Sequence, residues 1–523
     1  MFVFYWIVGV LFGAVLLAAL ARRLGAPYPA FLALGGAGLA FLPGVPNLSL
    51  DPDLALALFL APVLMDAGYD TSLRDLMRNW RPIAGLAIGA VLVTTAAVAA
   101  VAIWLVPDMP LPAAIVLGAI VAPPDAVAAL TVLAHVPLPH RLATILRGES
   151  LLNDAASLLI YRLGVAAAIT GHFSLGEVAP AFLLSVVGAL IAGPLAALVY
   201  LRVLRRFADA PSTIVLQFVV TFGLWIAAEE IELSGVLTVV SFAITVARRA
   251  PDQTAPRQRV ISNAVWETVI FVLNVLAFVL IGNQIGPILE RLSAAQEFSY
   301  LLVAAGILVT VMVVRIAWVL PASGIRRMRF GEPGAGKDEA RADLGMGAGF
   351  AVSWAGMRGL VTVAAALALP EGGPGGGGFP HRDLIVLTAF CVVLGTLVFQ
   401  GLTLRPLLQR LGLEDADPVG REVGRARAEA YGAAVETLKN DTSEAADALR
   451  REFHAVLAQA EAHEEGLAPE SLPADEPRRR AVHAARDRIL AMRRDGRIGD
   501  DAFSVLEEEL DWAELNATPR AEA

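Results

Sequence analysis

Glu149, Ser150, Asn153 and Asp154 bring two carboxylates, a hydroxyl and an amide into one stretch, Gly148-Glu149-Ser150-Leu151-Leu152-Asn153-Asp154-Ala155, at the head of an apolar run that continues past Ile169. On a helix Glu149 and Asn153 stand one turn apart, as do Ser150 and Asp154, so the stretch presents two neighbouring polar stripes, the second extended by Ser157. Carboxylate and hydroxyl oxygens gathered on one face suit a hard cation. A charge near the centre of a bilayer costs roughly 2.5–3.5 kcal/mol on insertion scales, so acids at that depth point to a function. Removal from water disfavours the charged carboxylate and a bound cation favours it, which lets proton and metal compete for Asp154. Asp125, beside Pro123 and Pro124, supplies a further carboxylate. Arg315, inside Val309-Thr-Val-Met-Val-Val-Arg315-Ile-Ala-Trp, lies too deep to snorkel easily and needs an anion; Glu149 is its expected partner, leaving Asp154 as the titratable group. Arg358, flanked by Gly356 and Gly359, is expected where interrupted helices cross and a fixed cation offsets carboxylates and helix C-terminal ends.

These residues need membrane helices to position them. The chain of 523 residues is 56% hydrophobic and only 17% charged, which excludes an ordinary soluble multidomain protein. Apolar length, broken by Pro, Gly and charge, gives thirteen candidate spans at roughly 2–21, 27–44, 53–67, 82–106, 111–134, 144–170, 176–204, 211–230, 234–248, 263–289, 299–321, 345–369 and 383–406. The alternation a transmembrane barrel requires is absent. The first span lacks a positive n-region and is followed by Arg22 and Arg23, so it reads as a retained helix. Arginines crowd the loops after odd-numbered spans, from Arg22 and Arg23 through Arg248 and Arg249 to Lys337, Arg341, Arg405 and Arg410; loops after even-numbered spans carry only Arg291 and Arg382. The positive-inside rule then places the N-terminus outside and the C-terminal tail in the cytoplasm.

Spans 5 and 12 cannot be plain helices. Ala122-Pro123-Pro124-Asp125 removes two backbone donors in mid-membrane, and Ser353-Trp354-Ala355-Gly356-Met357-Arg358-Gly359 places a glycine-flanked arginine there. Broken backbone at that depth belongs where protein buries it or a cavity solvates it. The two spans are seven apart, an odd offset that makes spans 1–6 and 8–13 candidate inverted repeats. After about Leu407 the composition turns to Arg, Glu and Ala, giving a soluble helical tail over residues 411–523, with helices expected around Val423–Glu465 and Pro477–Leu515 and a proline-containing linker between. The fold class is thus all-α and polytopic, with a membrane domain over 1–410. A flexible outer connection is expected for the glycine-rich loop after span 12, since no Gly-Lys-Ser/Thr follows it.

Ala122-Pro-Pro-Asp-Ala-Val-Ala-Ala, Gly148-Glu-Ser-Leu-Leu-Asn-Asp-Ala and Trp354-Ala-Gly-Met-Arg-Gly, with Asp66-Ala-Gly-Tyr and Trp266-Glu-Thr, resemble bacterial sodium/proton antiporters of the monovalent cation:proton antiporter-1 family over about the first 410 residues. The family's Thr-Asp-Pro is replaced by Pro124-Asp125-Ala126, so a threonine hydroxyl is missing. The resemblance implies a transport core of spans 4–6 and 11–13, a dimerisation part from the other spans, and crossed broken helices carrying Pro123, Pro124, Arg358 and Gly359. It implies that Asp154 binds Na+ or H+, with Ser150 and Asp125 as further Na+ ligands. Asn153 stands in place of the second aspartate of electrogenic relatives, and Glu149 pairs structurally with Arg315. One exchangeable carboxylate implies electroneutral one-for-one exchange in a homodimer of the bacterial inner membrane, with Na+, H+ and lipid as its partners and no cofactor.

Other classes fit less well. A K+/H+ antiporter of the same fold is the near alternative, and a cation channel the distant one, although no filter motif is visible. An enzyme is not expected: no His-Glu-x-x-His occurs, and Ser150 has no membrane histidine to activate it. With one cysteine, Cys391, no intrachain disulfide is possible, and nucleic acid is not indicated. His454, His463 and His483 in the tail read as solvated helix positions.

Overall fold

Apolar residues, unable to satisfy their backbone in lipid except within helices, fold accordingly. The computed structural model describes the chain except residues 1, 25–26, 43–51, 126–138, 171–174, 208, 251–253, 291, 330–345, 371–377, 413–417, 465–474, 496, 499 and 518–523, and among the described residues it is helical with no strand. The end of the fifth expected span, Arg291, Lys337, Arg341, the glycine-rich loop and most of the tail linker lie outside the described residues.

The chain divides into two compact units, Met1–Glu414 and Asp415–Ala523. The first begins with α1 (Phe2–Arg23), α2 (Tyr28–Leu39), α3 (Leu56–Tyr69) and α4 (Trp80–Leu105). It continues with α5 (Leu111–Val121), α6 (His140–Thr170), α7 (Leu175–Leu204), α8 (Ala210–Glu230) and α9 (Gly235–Arg249). Then come α10 (Pro256–Leu289), α11 (Ala294–Arg329), α12 (Met346–Trp354), α13 (Leu360–Leu367) and α14 (Arg382–Leu411). Seven stretches among the described residues are long and apolar enough to cross a bilayer: α4, α6, α8, α10, α14, Leu183–Leu204 within α7 and Gln296–Pro321 within α11.

Packing sorts the helices. One cluster joins α4, α5, α11 and α14 through Val98, Leu117, Ile307 and Leu387; another joins α3, α7 and α9 through Leu64, Leu201 and Phe242. α6 runs along α5, and α10 lies against α2. α5 stops at Val121, and residues Ala122–Asp125 are not helical, as expected where two prolines withhold their donors. α12 stops at Trp354, Ala355 N–H still donates to Ala351 O (2.9 Å), and Gly356–Gly359 is not helical before α13 begins at Leu360. Asp125 N–H donates to Met357 O (2.6 Å), joining the two breaks.

The second unit contains four helices where two were expected: α15 (Pro418–Thr437), α16 (Glu444–Glu464), α17 (Asp475–Arg494) and α18 (Asp500–Asn516). The first expected helix is interrupted because Asp441 Oδ1 accepts from Ser443 N–H (2.9 Å) and Ser443 Oγ accepts from Ala446 N–H (3.2 Å), a local cap that starts α16 afresh. Hydrogen bonding from Ser443 holds the Asp441 carboxyl below its ordinary value. Arg486 joins α17 to α18 through Asp511 (2.8 Å) and Glu514 (2.5 Å), and those two carboxylates raise its own ionisation range.

Candidate functional site

α6 supplies most of the polar groups, and its helical spacing sends them to different neighbours. Glu149 is fully buried and meets Arg315 from α11: Arg315 Nη1 donates to Oε1 (2.5 Å) and Nη2 to Oε2 (2.8 Å), a bidentate pair only 1% and 3% exposed. Arg315 Nη2 also donates to Val352 O (3.2 Å), which ties the pair to α12. Gly356 permits this approach, because a Cβ there would stand 2.4 Å from Arg315 Nε.

One turn further on, Asn153 donates from Nδ2 to Pro124 O (2.9 Å), a carbonyl freed by the break after α5. Ser157 Oγ donates to Ala119 O (2.7 Å), a further tie from α6 to α5. Asn153 is therefore turned to the broken backbone and is not among the residues lining the cavity at the crossing. That cavity is lined by Asp125, Arg147, Ser150, Asp154, Thr362 and Asn274, with the Gly359 backbone and apolar side chains, most of them from α3 and α10, around them. Asp154 is buried and forms no ion pair with any described residue. The Asp125 carboxylate lies directly on the backbone of Gly359: a Cβ at that position would fall 1.6 Å from Asp125 Oδ2.

Arg358 is 1% exposed and points at carbonyls. Its Nε donates to Val121 O (3.0 Å), Nη2 to Ala122 O (3.3 Å) and Nη1 to Gly356 O, while its own N–H donates to Thr396 Oγ1 (3.0 Å). It thus closes the C-terminal end of α5, where unpaired carbonyls gather negative potential. Thr396 opens a wide π-type turn, Thr396–Gln400, in α14. Turns of this kind interrupt a helix where it meets functional elements.

A second and larger cavity, of about 610 Å³, lies between α3, α8 and α10. Asp66, Tyr69, Asp70, Arg259, Trp266 and Glu267 are among the residues that line it. Sequence reading missed Thr362, Asn274 and Thr396. Each is a neutral polar residue set among apolar neighbours, and neither its type nor its spacing distinguishes it from the other polar residues of its span.

The oxygens at the crossing can coordinate a hard cation or take a proton, and the bidentate pair beside them cannot do either without losing a buried charge partner. Membrane-length helices, two of them interrupted and meeting beside buried carboxylates, define a polytopic membrane protein with the build of an ion-coupled transporter. The chain belongs to the sodium/hydrogen exchanger family, whose transmembrane region matches residues 9–410. A sodium, potassium, lithium and rubidium/H+ antiporter of Bacillus pumilus is 30% identical over 416 residues, covering 78% of this chain and 61% of that protein. An uncharacterised Na+/H+ exchanger of Escherichia coli is 33% identical over 445 residues, 80% of each chain. The matched region spans about three fifths of the length of the Bacillus pumilus and Bacillus subtilis relatives. The fold is shared with the sodium proton antiporter MjNhaP1 of Methanocaldococcus jannaschii, at a TM-score of 0.58 and 18% identity over 79% of this chain and all of that one.

Proposed function

We propose that the chain exchanges Na+ for H+ across a bacterial inner membrane, with Asp154 binding either ion. The observation that carries this reading is the division of labour on α6: Glu149 is neutralised by Arg315, whereas Asp154 lines a cavity with Asp125 and Ser150 and has no basic partner among the described residues. Asp154, Asp125 and Ser150 are the proposed Na+ ligands. Asn153, expected beside the ion, acts by holding the Pro124 carbonyl and with it the position of Asp125.

The charges at the crossing support one-for-one exchange. Glu149 is paired with Arg315, whereas Asp154 has no ion-pair partner among the described residues, so its charge is offset only when it carries H+ or Na+. An empty Asp154 leaves a net negative charge in a medium that penalises it, and the unloaded protein is then held back from reorienting. The reading includes thirteen spans in two inverted repeats, a moving core of spans 4–6 and 11–13, and a dimer formed by the others. It also places the N-terminus outside and a regulatory tail in the cytoplasm. K+ is the second candidate ion, because the Bacillus relatives are named for potassium as well as sodium.

The test is pH-gradient-driven Na+ uptake in proteoliposomes. Asp154→Asn is expected to abolish it, and uptake at the wild-type rate would overturn the assignment.

A further inference from the structure

Asn274 interrupts the apolar run Phe271-Val-Leu-Asn274-Val-Leu-Ala-Phe278 of α10, about five turns and ~27 Å from Pro256 at the start of the helix. It is 7% exposed, yet its carboxamide forms no hydrogen bond with any described residue. The amide faces cavity space, where water or an ion can meet it. Asn274 is also the one described residue that lines both cavities, the small one holding Asp125, Ser150 and Asp154 and the large one lined by Asp66, Asp70 and Arg259. An ion passing between them meets this amide.

We propose that Asn274 is an ion ligand at this waist: its Oδ1 replaces a water of hydration as a monovalent cation leaves the large cavity for Asp154. The inference rests on the exchange reading and adds a residue that controls ion entry from one side. An amide oxygen is a hard ligand and carries no net charge, so it can hold a cation without altering the balance that Asp154 completes. Its position sets when it acts. Asp154 and Ser150 belong to α6 and Asp125 to the break after α5, whereas Asn274 belongs to α10, which packs on α2. When the α5 and α6 group moves relative to α10, the amide loses the ion. Its contribution therefore belongs to the state that faces the large cavity.

The experiment measures the half-saturating Na+ concentration separately from each face, in everted membrane vesicles and in right-side-out vesicles. Asn274→Leu, close in size and without the oxygen, is expected to raise it about tenfold or more from one face only, the size expected for losing one ligand to a charged group. Asn274→Gln keeps the oxygen at a different reach and is expected to preserve expression while changing the Na+ to Li+ preference on that same face. It serves as the test if the leucine variant fails to reach the membrane. Equal changes from both faces, or none in either variant while wild-type exchange proceeds, would overturn the role of Asn274 alone. Absence of cation-driven H+ movement in the wild type would overturn the exchange reading and this inference with it.

Discussion

Glu149 and Asp154 are acids on the same helix, five residues apart, and their neighbours give them opposite tasks. Glu149→Gln would leave the Arg315 guanidinium buried without its anion, and breaking such a pair costs about 3–5 kcal/mol. The expected result is a large drop in melting temperature of the purified protein in detergent, most of it recovered in Glu149→Leu/Arg315→Met, where neither charge remains. Retained stability in the single variant would mean that the pair contributes little. Gly359 is the second residue whose environment decides its role. The Asp125 carboxylate occupies the place of a side chain there, so Gly359→Ala must displace it. Half-saturating Na+ is expected to rise about tenfold or more, equivalent to ~1.4 kcal/mol, while the protein still folds, and unchanged Na+ dependence would remove Asp125 from the ligand set. The Glu149–Arg315 contact could be anticipated because a deep arginine in an apolar span must find one of very few acids. The destination of Asn153 could not, because an amide serves as well for an ion as for a freed carbonyl, and only the position of Pro124 decides between them.

Among elements, the interrupted helices were legible because each break is written in backbone chemistry. Two prolines cannot donate, and a glycine-flanked arginine in mid-membrane has no lipid-compatible helix to sit in. What closes the breaks was less legible. Arg358 donates to Val121 and Ala122 after α5 and to Gly356 in its own break, and Thr396 of α14 receives its N–H. Those partners come from distant parts of the chain, so no local pattern announces them. Arg358→Ala is expected to lower thermal stability severely, since several buried carbonyls lose their donors together. Arg358→Lys should recover only part of it, because a single ammonium cannot reproduce the planar fork that spans two backbone segments. Melting of the two variants beside the wild type checks the order, and a lysine variant as stable as wild type would reduce the role of Arg358 to its charge. The tail shows the same limit from the other direction. Its helical composition was plain, but the cap at Asp441 and Ser443 that divides the first expected helix depends on two side chains competing with the helix for backbone groups.

For the whole molecule, the charges at the crossing decide what voltage can do. Glu149 is paired with Arg315, whereas Asp154 lines the cavity without an ion-pair partner among the described residues, so its charge changes when it gains or loses H+ or Na+. If that carboxylate crosses the membrane field only when carrying Na+ or H+, each half of the cycle moves no net charge. A transmembrane potential, worth about 2.3 kcal/mol per elementary charge per 100 mV, then has nothing to act on. Na+-driven H+ efflux from proteoliposomes is expected to run at the same rate with the membrane clamped at zero by K+ and valinomycin as with an imposed potential of either sign, once the H+ movement that K+ alone drives has been subtracted. A channel behaves otherwise, since its flux follows the potential and does not require a counter-moving proton. A rate that rises with inside-positive potential and falls with inside-negative potential would show that a second carboxylate, Asp125 being the nearest candidate, releases its proton during transport, and the one-for-one cycle would have to be abandoned.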